Sequence, residues 1–358
     1  MGYPKVILTP RFRALLIAIL LIVSLLPRAS NRDQSTARAS AALVGSADWS
    51  SYLHDPMHTN DNTGESTLSP SNVSQLTTLW SVHTPGTIEA SAIVSNGTVY
   101  IGSWDGNEYA LDQGTGTVKW KTFLGQTTTP SGYIPCNPPY SDTEGVNSSP
   151  SIQNGIAYLS GGDSYFYALD TTTGNILWKV FIADTVGTGY ENFSSPVLAN
   201  GYAYVGLSSN GDCPLTQGAV LQIDLTAHQV AHRFNVVSGV GGGVWSSPAY
   251  DAATNTLYFT TGNNDSNDQY TDSIVALNAS DLSVERSWMI PAAGNFGDAD
   301  FGASATLFTD STGRALVGVA NKDGYFYALD RSTFQLVWSY QIGDKLCGNP
   351  PTGCGSIS

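Results

Sequence analysis

One unit, recurring five times at intervals of 52 to 58 residues, constrains this chain more than any other feature. Asp112, Asp170, Asp224, Asn278 and Asp330 mark its register. Each unit opens on small residues, usually before a proline, as in Ser148-Ser149-Pro150, Ser194-Ser195-Pro196 and Ser246-Ser247-Pro248. Alternating apolar residues follow, broken by a turn such as Asn96-Gly97, Asn154-Gly155 or Asn200-Gly201. A Tyr-containing strand ending in glycine comes next, as in Val99-Tyr100-Ile101-Gly102. A second turn leads into Tyr-Ala-Leu-Asp at 109–112, 167–170 and 327–330, and the unit closes on a strand bearing Trp120, Trp178, Trp288 or Trp338.

Asn-Gly turns supply the positive φ angles of tight hairpins, so each unit predicts a short four-stranded antiparallel sheet. One such sheet cannot bury both faces alone; neighbours must stack, with the tryptophans between them. Radial stacking of this kind is an all-β fold, the β-propeller. A two-sheet sandwich would not need one unit repeated with a constant signature.

The N-terminus reads as an export signal. Lys5, Arg11 and Arg13 precede the apolar run from Ala14 to Leu26, and small-residue triplets follow at 37–39 and 39–41. Residues 1–39 are therefore expected to be a signal peptide, 40–80 a lead-in segment with an outer strand, and 81–358 the repeats. The expected location is periplasmic or extracellular, with an uncleaved signal-anchor as the alternative. The apolar run is shorter than the roughly 20 residues that span a bilayer, and no later stretch is apolar enough to cross one.

The formal charge of −14 becomes more negative once residues 1–39, with six basic side chains and one acid, are removed. Such a field repels phosphate backbones, which argues against nucleic acid, and would attract a basic electron carrier, with solubility alone as the plainer reading of the acidity. Cys136, Cys213, Cys347 and Cys354 make an even count, expected to pair as 347–354 and 136–213 in an oxidising compartment, with other pairings open. No Cys-x-x-Cys-His haem attachment site, Walker loop, dinucleotide fingerprint or Ser-His-Asp context occurs. His54 and His58 lie in a Pro- and Asn-rich segment rather than on a helix, which argues against a metal pair.

The Ala-Leu-Asp-x-x-Thr-Gly-x-x-x-Trp ending resembles the repeat of quinoprotein alcohol dehydrogenases, which bind pyrroloquinoline quinone (PQQ), and of the outer-membrane assembly lipoprotein BamB. The resemblance covers about residues 47 to 358. It implies a propeller of commonly eight blades, of which about five are present, so the sequence reads as C-terminally truncated. Four positions match the places where the quinoproteins contact their cofactors. Trp245, after Gly241-Gly242-Gly243, would be the floor on which the quinone stacks. Asn263, closing the strand from Tyr258 to Gly262, would be a Ca²⁺ ligand through its amide oxygen.

Asp300, in Asp298-Ala299-Asp300-Phe301-Gly302, is similar to the second acid of the polyvinyl-alcohol-dehydrogenase-like group. There it serves as general base and lies against calcium. Lys322, in Asn321-Lys322-Asp323-Gly324, would contact the quinone oxygens and stabilise charge building on them. A plain surface turn or an inter-blade tryptophan is the structural alternative at each position.

Two departures matter. The loop expected to supply a calcium-binding glutamate reads Ser209-Asn210-Gly211-Asp212-Cys213, where Asp212 is a weak substitute. The adjacent-cysteine ring of methanol dehydrogenases is absent, as it is in the polyvinyl-alcohol-dehydrogenase-like group. The resemblance implies a PQQ- and Ca²⁺-dependent dehydrogenase of small or polymeric alcohols that passes electrons to a cytochrome or another external acceptor. The rival expectation is a non-catalytic scaffold, like BamB, that binds protein or polysaccharide. It predicts that the four positions do not converge.

Overall fold

In the computed structural model, which describes residues 48–128, 143–209, 215–262, 268–291 and 299–343, each repeat is one antiparallel sheet. The first runs, from inside outward, Ile93–Ser95, Thr98–Gly102, Asn107–Asp112 and Val118–Phe123. The fourth follows the same order with Ala249–Asp251, Thr256–Thr260, Ser273–Asn278 and Val284–Met289. So does the fifth, with Thr306–Thr309, Ala315–Ala320, Tyr325–Asp330 and Leu336–Gln341. The middle strands are buried on both faces, whereas the outer ones carry exposed residues. Among the described residues the one α-helix is Thr185–Thr188, and no helix is long and apolar enough to cross a membrane.

The turn residues act as their chemistry dictates. Asn96, Asn154, Asn200 and Asn255 all take positive φ at the first hairpin of their sheets. After the second hairpin strand, the Asp112 carboxylate accepts the backbone N–H groups of Gly114 and Thr115, and Asp170 and Asp330 repeat the pattern. Four residues beyond each register position lies another left-handed residue: Gly116, Gly174, His228, Leu282 and Phe334. At Gly174 a side chain would strike the Trp120 ring, with a Cβ only 2.6 Å from it. In the third sheet the corresponding His228 instead stacks on Trp178 at 4.5 Å.

Neighbouring sheets stack face to face. One apolar cluster joins the second and third sheets through Phe166, Val180, Val205 and Leu221, and another joins the fourth and fifth through Tyr258, Ile274, Val317 and Leu329. Three of the four blade-closing tryptophans, Trp120, Trp178 and Trp288, pack against the next sheet as expected, whereas Trp338 is exposed and packs on Phe326 of its own sheet. Trp120 Nε1 donates to the Thr171 carbonyl of the next sheet at 3.0 Å, and Trp288 packs on Tyr327.

The small residues that open each unit form a belt. The backbone N–H of Ser91 donates to Ser149 Oγ, Ser149 to Ser195 Oγ, Ser195 to Ser247 Oγ and Ser247 to Ser304 Oγ, each at 2.9 Å. Ser149, Ser195, Ser247 and Ser304 each satisfy an amide of the preceding blade, which is why the sequence holds a short hydroxyl there.

The lead-in segment crosses the inner strands. Trp49 exchanges backbone hydrogen bonds with Val94, and Ser50, Pro56 and Met57 accept from Ile152, Tyr250 and Leu307. Blades one, two, four and five are thereby clasped by one stretch. Opposite blade three, Leu53 and His54 take φ values of 52° and 81° and the segment leaves the sheet edge. A cavity of about 250 Å³ opens there, between Ser51, His54, Asp55 and residues 196–198. Leu79 and Trp80, the outer-strand residues expected at the end of the 40–80 lead-in, carry no strand pairing among the described residues. Trp80 instead donates to the Gln113 carbonyl of the first blade at 2.8 Å. The expected signal peptide and all four cysteines lie outside the described residues.

Candidate functional site

Trp245, Asp300 and Lys322 come together although the sequence holds them 55 and 22 residues apart. Trp245 lies just before the inner strand of the fourth blade, and Asp300 just before that of the fifth. Lys322 occupies the turn between the fifth blade's two middle strands. All three therefore fall on loops at one end of the axis. Lys322 Nζ is 2.6 Å from Asp300 Oδ2 and 5.3 Å from the centre of the Trp245 ring. Asp300 is buried and Lys322 is half-buried.

Two glycines make room for this arrangement. A Cβ at Gly302 would lie 2.9 Å from Trp245 Cζ2, so only a bare backbone lets the indole rest there. A Cβ at Gly262 would lie 3.2 Å from Asp300 Oδ1. Gly262 is also tied to the glycine approach of Trp245, its N–H donating to the Gly243 carbonyl at 2.9 Å. Asn263, Asp212 and Asp298 lie outside the described residues, so the expected calcium ligand set has only Asp300 among those described.

The backbone of Asp300 is held as firmly as its side chain. Asn321 Nδ2 donates to the carbonyls of Ala299 at 2.7 Å and Asp300 at 3.2 Å, and the Lys322 N–H also donates to the Asp300 carbonyl. Asn321 is fully buried. No sequence motif flags it as a site residue, although it stands beside Lys322. Comparing the repeats position by position would have singled it out, since the same turn carries Ser103 in the first blade and Gly161 in the second.

A second polar chain links blades one to three. Trp104 Nε1 donates to Asn147 Oδ1 at 2.6 Å, and Asn147 Nδ2 donates to Glu191 Oε1 at 3.0 Å. Burial pushes the Glu191 carboxyl up to about 8, and the nearby Glu144 and Glu89 push the same way against the Asn147 hydrogen bond. Glu191 therefore keeps its proton at neutral pH.

Could these residues hold a planar, anionic quinone? The donor set fits one: an indole seated on the bare Gly302 backbone, an ammonium over its ring, and a buried carboxylate at the ammonium. A carboxylate oxygen is likewise a suitable ligand for a hard cation.

The chain is similar to several known proteins. A family model described as outer membrane protein assembly factor BamB, PQQ_2, matches residues 63–340. A quinohemoprotein alcohol dehydrogenase, ADH-IIG of Pseudomonas putida, is 27% identical over 75% of this chain and 42% of its own length. A polyvinylalcohol dehydrogenase of a Pseudomonas species is 25% identical over 78% of this chain and 49% of its own. The chain thus spans about half the length of the curated relatives it matches.

Among solved structures, the quinohemoprotein alcohol dehydrogenase ADHIIG of Pseudomonas putida HK5 superposes with a TM-score of 0.69 at 24% identity. The match covers 83% of this chain and 48% of that one. A europium-containing methanol dehydrogenase gives 0.69 at 21% identity, covering 83% and 58%. These likenesses establish the propeller fold.

Proposed function

The chain belongs to the PQQ_2 propeller family, and from that premise we propose that it is the cofactor-holding part of a PQQ- and calcium-dependent alcohol dehydrogenase. The observation that carries this reading is the meeting of Trp245, Asp300 and Lys322, with Lys322 Nζ 2.6 Å from Asp300 and 5.3 Å from the Trp245 ring centre. A scaffold has no need of a buried carboxylate and an ammonium converging on an indole seated on a glycine backbone.

In this reading Trp245 supports the quinone ring and Lys322 holds its oxygens. Asn263 and Asp300 hold the calcium ion, with Asp212 as a weaker third ligand. PQQ supplies a two-electron acceptor when bound, and calcium supplies an electrophile. Asp300 takes the proton of the substrate hydroxyl, since an ionised carboxylate in a buried site is a competent general base. The ammonium of Lys322 offsets negative charge that builds beside it. Electrons leave to an external acceptor such as a cytochrome, whose approach the acidic surface favours when that partner is basic. Export to the periplasm or outside the cell belongs to the same reading, as do small or polymeric alcohols as substrates.

The test adds PQQ and Ca²⁺ to the full chain, dialyses it, and follows quinone absorbance and dye reduction with primary, secondary and polymeric alcohols. Retained quinone with alcohol-dependent reduction is expected. Neither retention nor reduction would turn the assignment to a non-catalytic, BamB-like scaffold.

A further inference from the structure

The repeat supplies its own control for separating scaffold from site. In blades one, two and five the turn between the middle strands is built around an Asp-Tyr pair. Tyr109 donates to Asp105, Tyr167 to Asp163 and Tyr327 to Asp323. In each, the Asp also accepts the N–H two residues on, from Asn107, Tyr165 and Tyr325. That much is scaffold, because all three blades share it.

The position two residues before the Asp is not shared. It is Ser103 in blade one, Gly161 in blade two and Asn321 in blade five. Of the three, only blade five has a side-chain amide there, and only in blade five does this turn lie against Asp300. The two Nδ2 bonds of Asn321 reach the carbonyls of the two peptides that flank the Asp300 Cα. Its Oδ1 accepts the N–H of Asp323 at 2.8 Å, anchoring the amide to the common Asp-Tyr turn. Asn321 is thus a rigid bracket, fully buried, between a scaffold element and the backbone that aims the Asp300 carboxylate.

We propose that Asn321 is the positioning residue of the site: it sets the direction of Asp300 and, through it, the place of the Lys322 ammonium. It touches neither side chain's reacting atoms and acts through the backbone. This rests on the dehydrogenase reading for its catalytic consequence, but not for its structural one.

The test uses Asn321→Asp, which keeps the acceptor toward Asp323 and removes both donors, and Asn321→Ser, which installs the first blade's own residue. Ser103→Ala is the control in the corresponding turn. The first readout needs no cofactor: the rate at which Lys322 is acylated by a small anhydride in the full chain, followed by peptide mass spectrometry. Both Asn321 variants should raise that rate about tenfold, since each loses the amide's two bonds to the backbone that aims Asp300, and Ser103→Ala should leave it unchanged. If Asn321→Asp fails to fold, the acylation rate of Asn321→Ser decides between the two outcomes.

The second readout, on PQQ-loaded protein, is the pH profile of alcohol-dependent dye reduction. The Asn321 variants should lower kcat and move its acid limb while KM changes little. Unchanged Lys322 acylation in a folded Asn321 variant would overturn the proposal. Altered acylation in a protein that never retains quinone would uphold the bracket and overturn the dehydrogenase reading instead.

Discussion

Lys322 Nζ sits 2.6 Å from Asp300 Oδ2, joining the fifth blade's middle-strand turn to the loop that enters the same blade. Both side chains are largely withdrawn from water, so the pair is more than a surface contact. Lys322→Met should destabilise the protein by about 2 kcal/mol, because it leaves a buried carboxylate without its ammonium. It should also lower alcohol-dependent dye reduction about a hundredfold. Asp300→Asn should lower the reduction rate at least as far, since an amide cannot take a proton. Urea unfolding and steady-state kinetics measure the two effects separately.

Gly302 tests the indole floor without touching the indole. A Cβ there lies 2.9 Å from Trp245 Cζ2, so Gly302→Ala must tilt the ring. Quinone retention after dialysis should fall, and Trp245→Ala should abolish it. Far-UV circular dichroism should stay unchanged in both variants.

Stability should fall between pH 6.5 and 8. Folded Glu191 keeps its proton up to about 8, whereas unfolded glutamate loses it near 4.5. The folded state therefore holds more protons across that window, and stability drops as pH rises through it, by up to about 1.4 kcal/mol per unit. Glu108, fully buried, has its carboxyl raised by desolvation and acts in the same direction.

His58 works oppositely: burial holds it near 4, below its usual 6.5, so it destabilises as pH falls from 6.5 toward 4. The two effects oppose each other below 6.5 and leave the decline above it. Urea midpoints at pH 6.5 and 8 should differ less in Glu191→Gln than in the parent protein.

The serine belt should be sensitive to a single oxygen. Ser195→Ala removes the acceptor of the buried Ser149 amide, which should cost about 1–3 kcal/mol. Ser195→Thr keeps the hydroxyl and should restore part of the loss if the added methyl fits. Thermal unfolding of both variants measures this.

The sheets were legible because their determinants are local. Asn96, Asn154 and Asn200 announce hairpins, Asp112 and Asp170 announce the next turn, and the tryptophans mark the closing strands. The Ser-Pro openings were equally visible, but not their purpose. A hydroxyl that satisfies the next blade's amide has meaning only once two blades are stacked. Trp245, Asp300 and Lys322 could be named one by one from a resemblance, and nothing in their spacing said that an ammonium would reach a carboxylate. Asn321 escaped because its partners are backbone carbonyls, which leave no side-chain signature in a sequence.

By itself, then, the sequence determined the repeat, the strands and the direction of every turn, since each depends on a handful of neighbouring residues and their φ preferences. The tertiary structure alone decided which loops share one end of the axis, which amide holds Asp300, and that Glu191 keeps its proton. Those outcomes depend on contacts between blades and on exclusion of water, and both arise only when the sheets stack around a common axis.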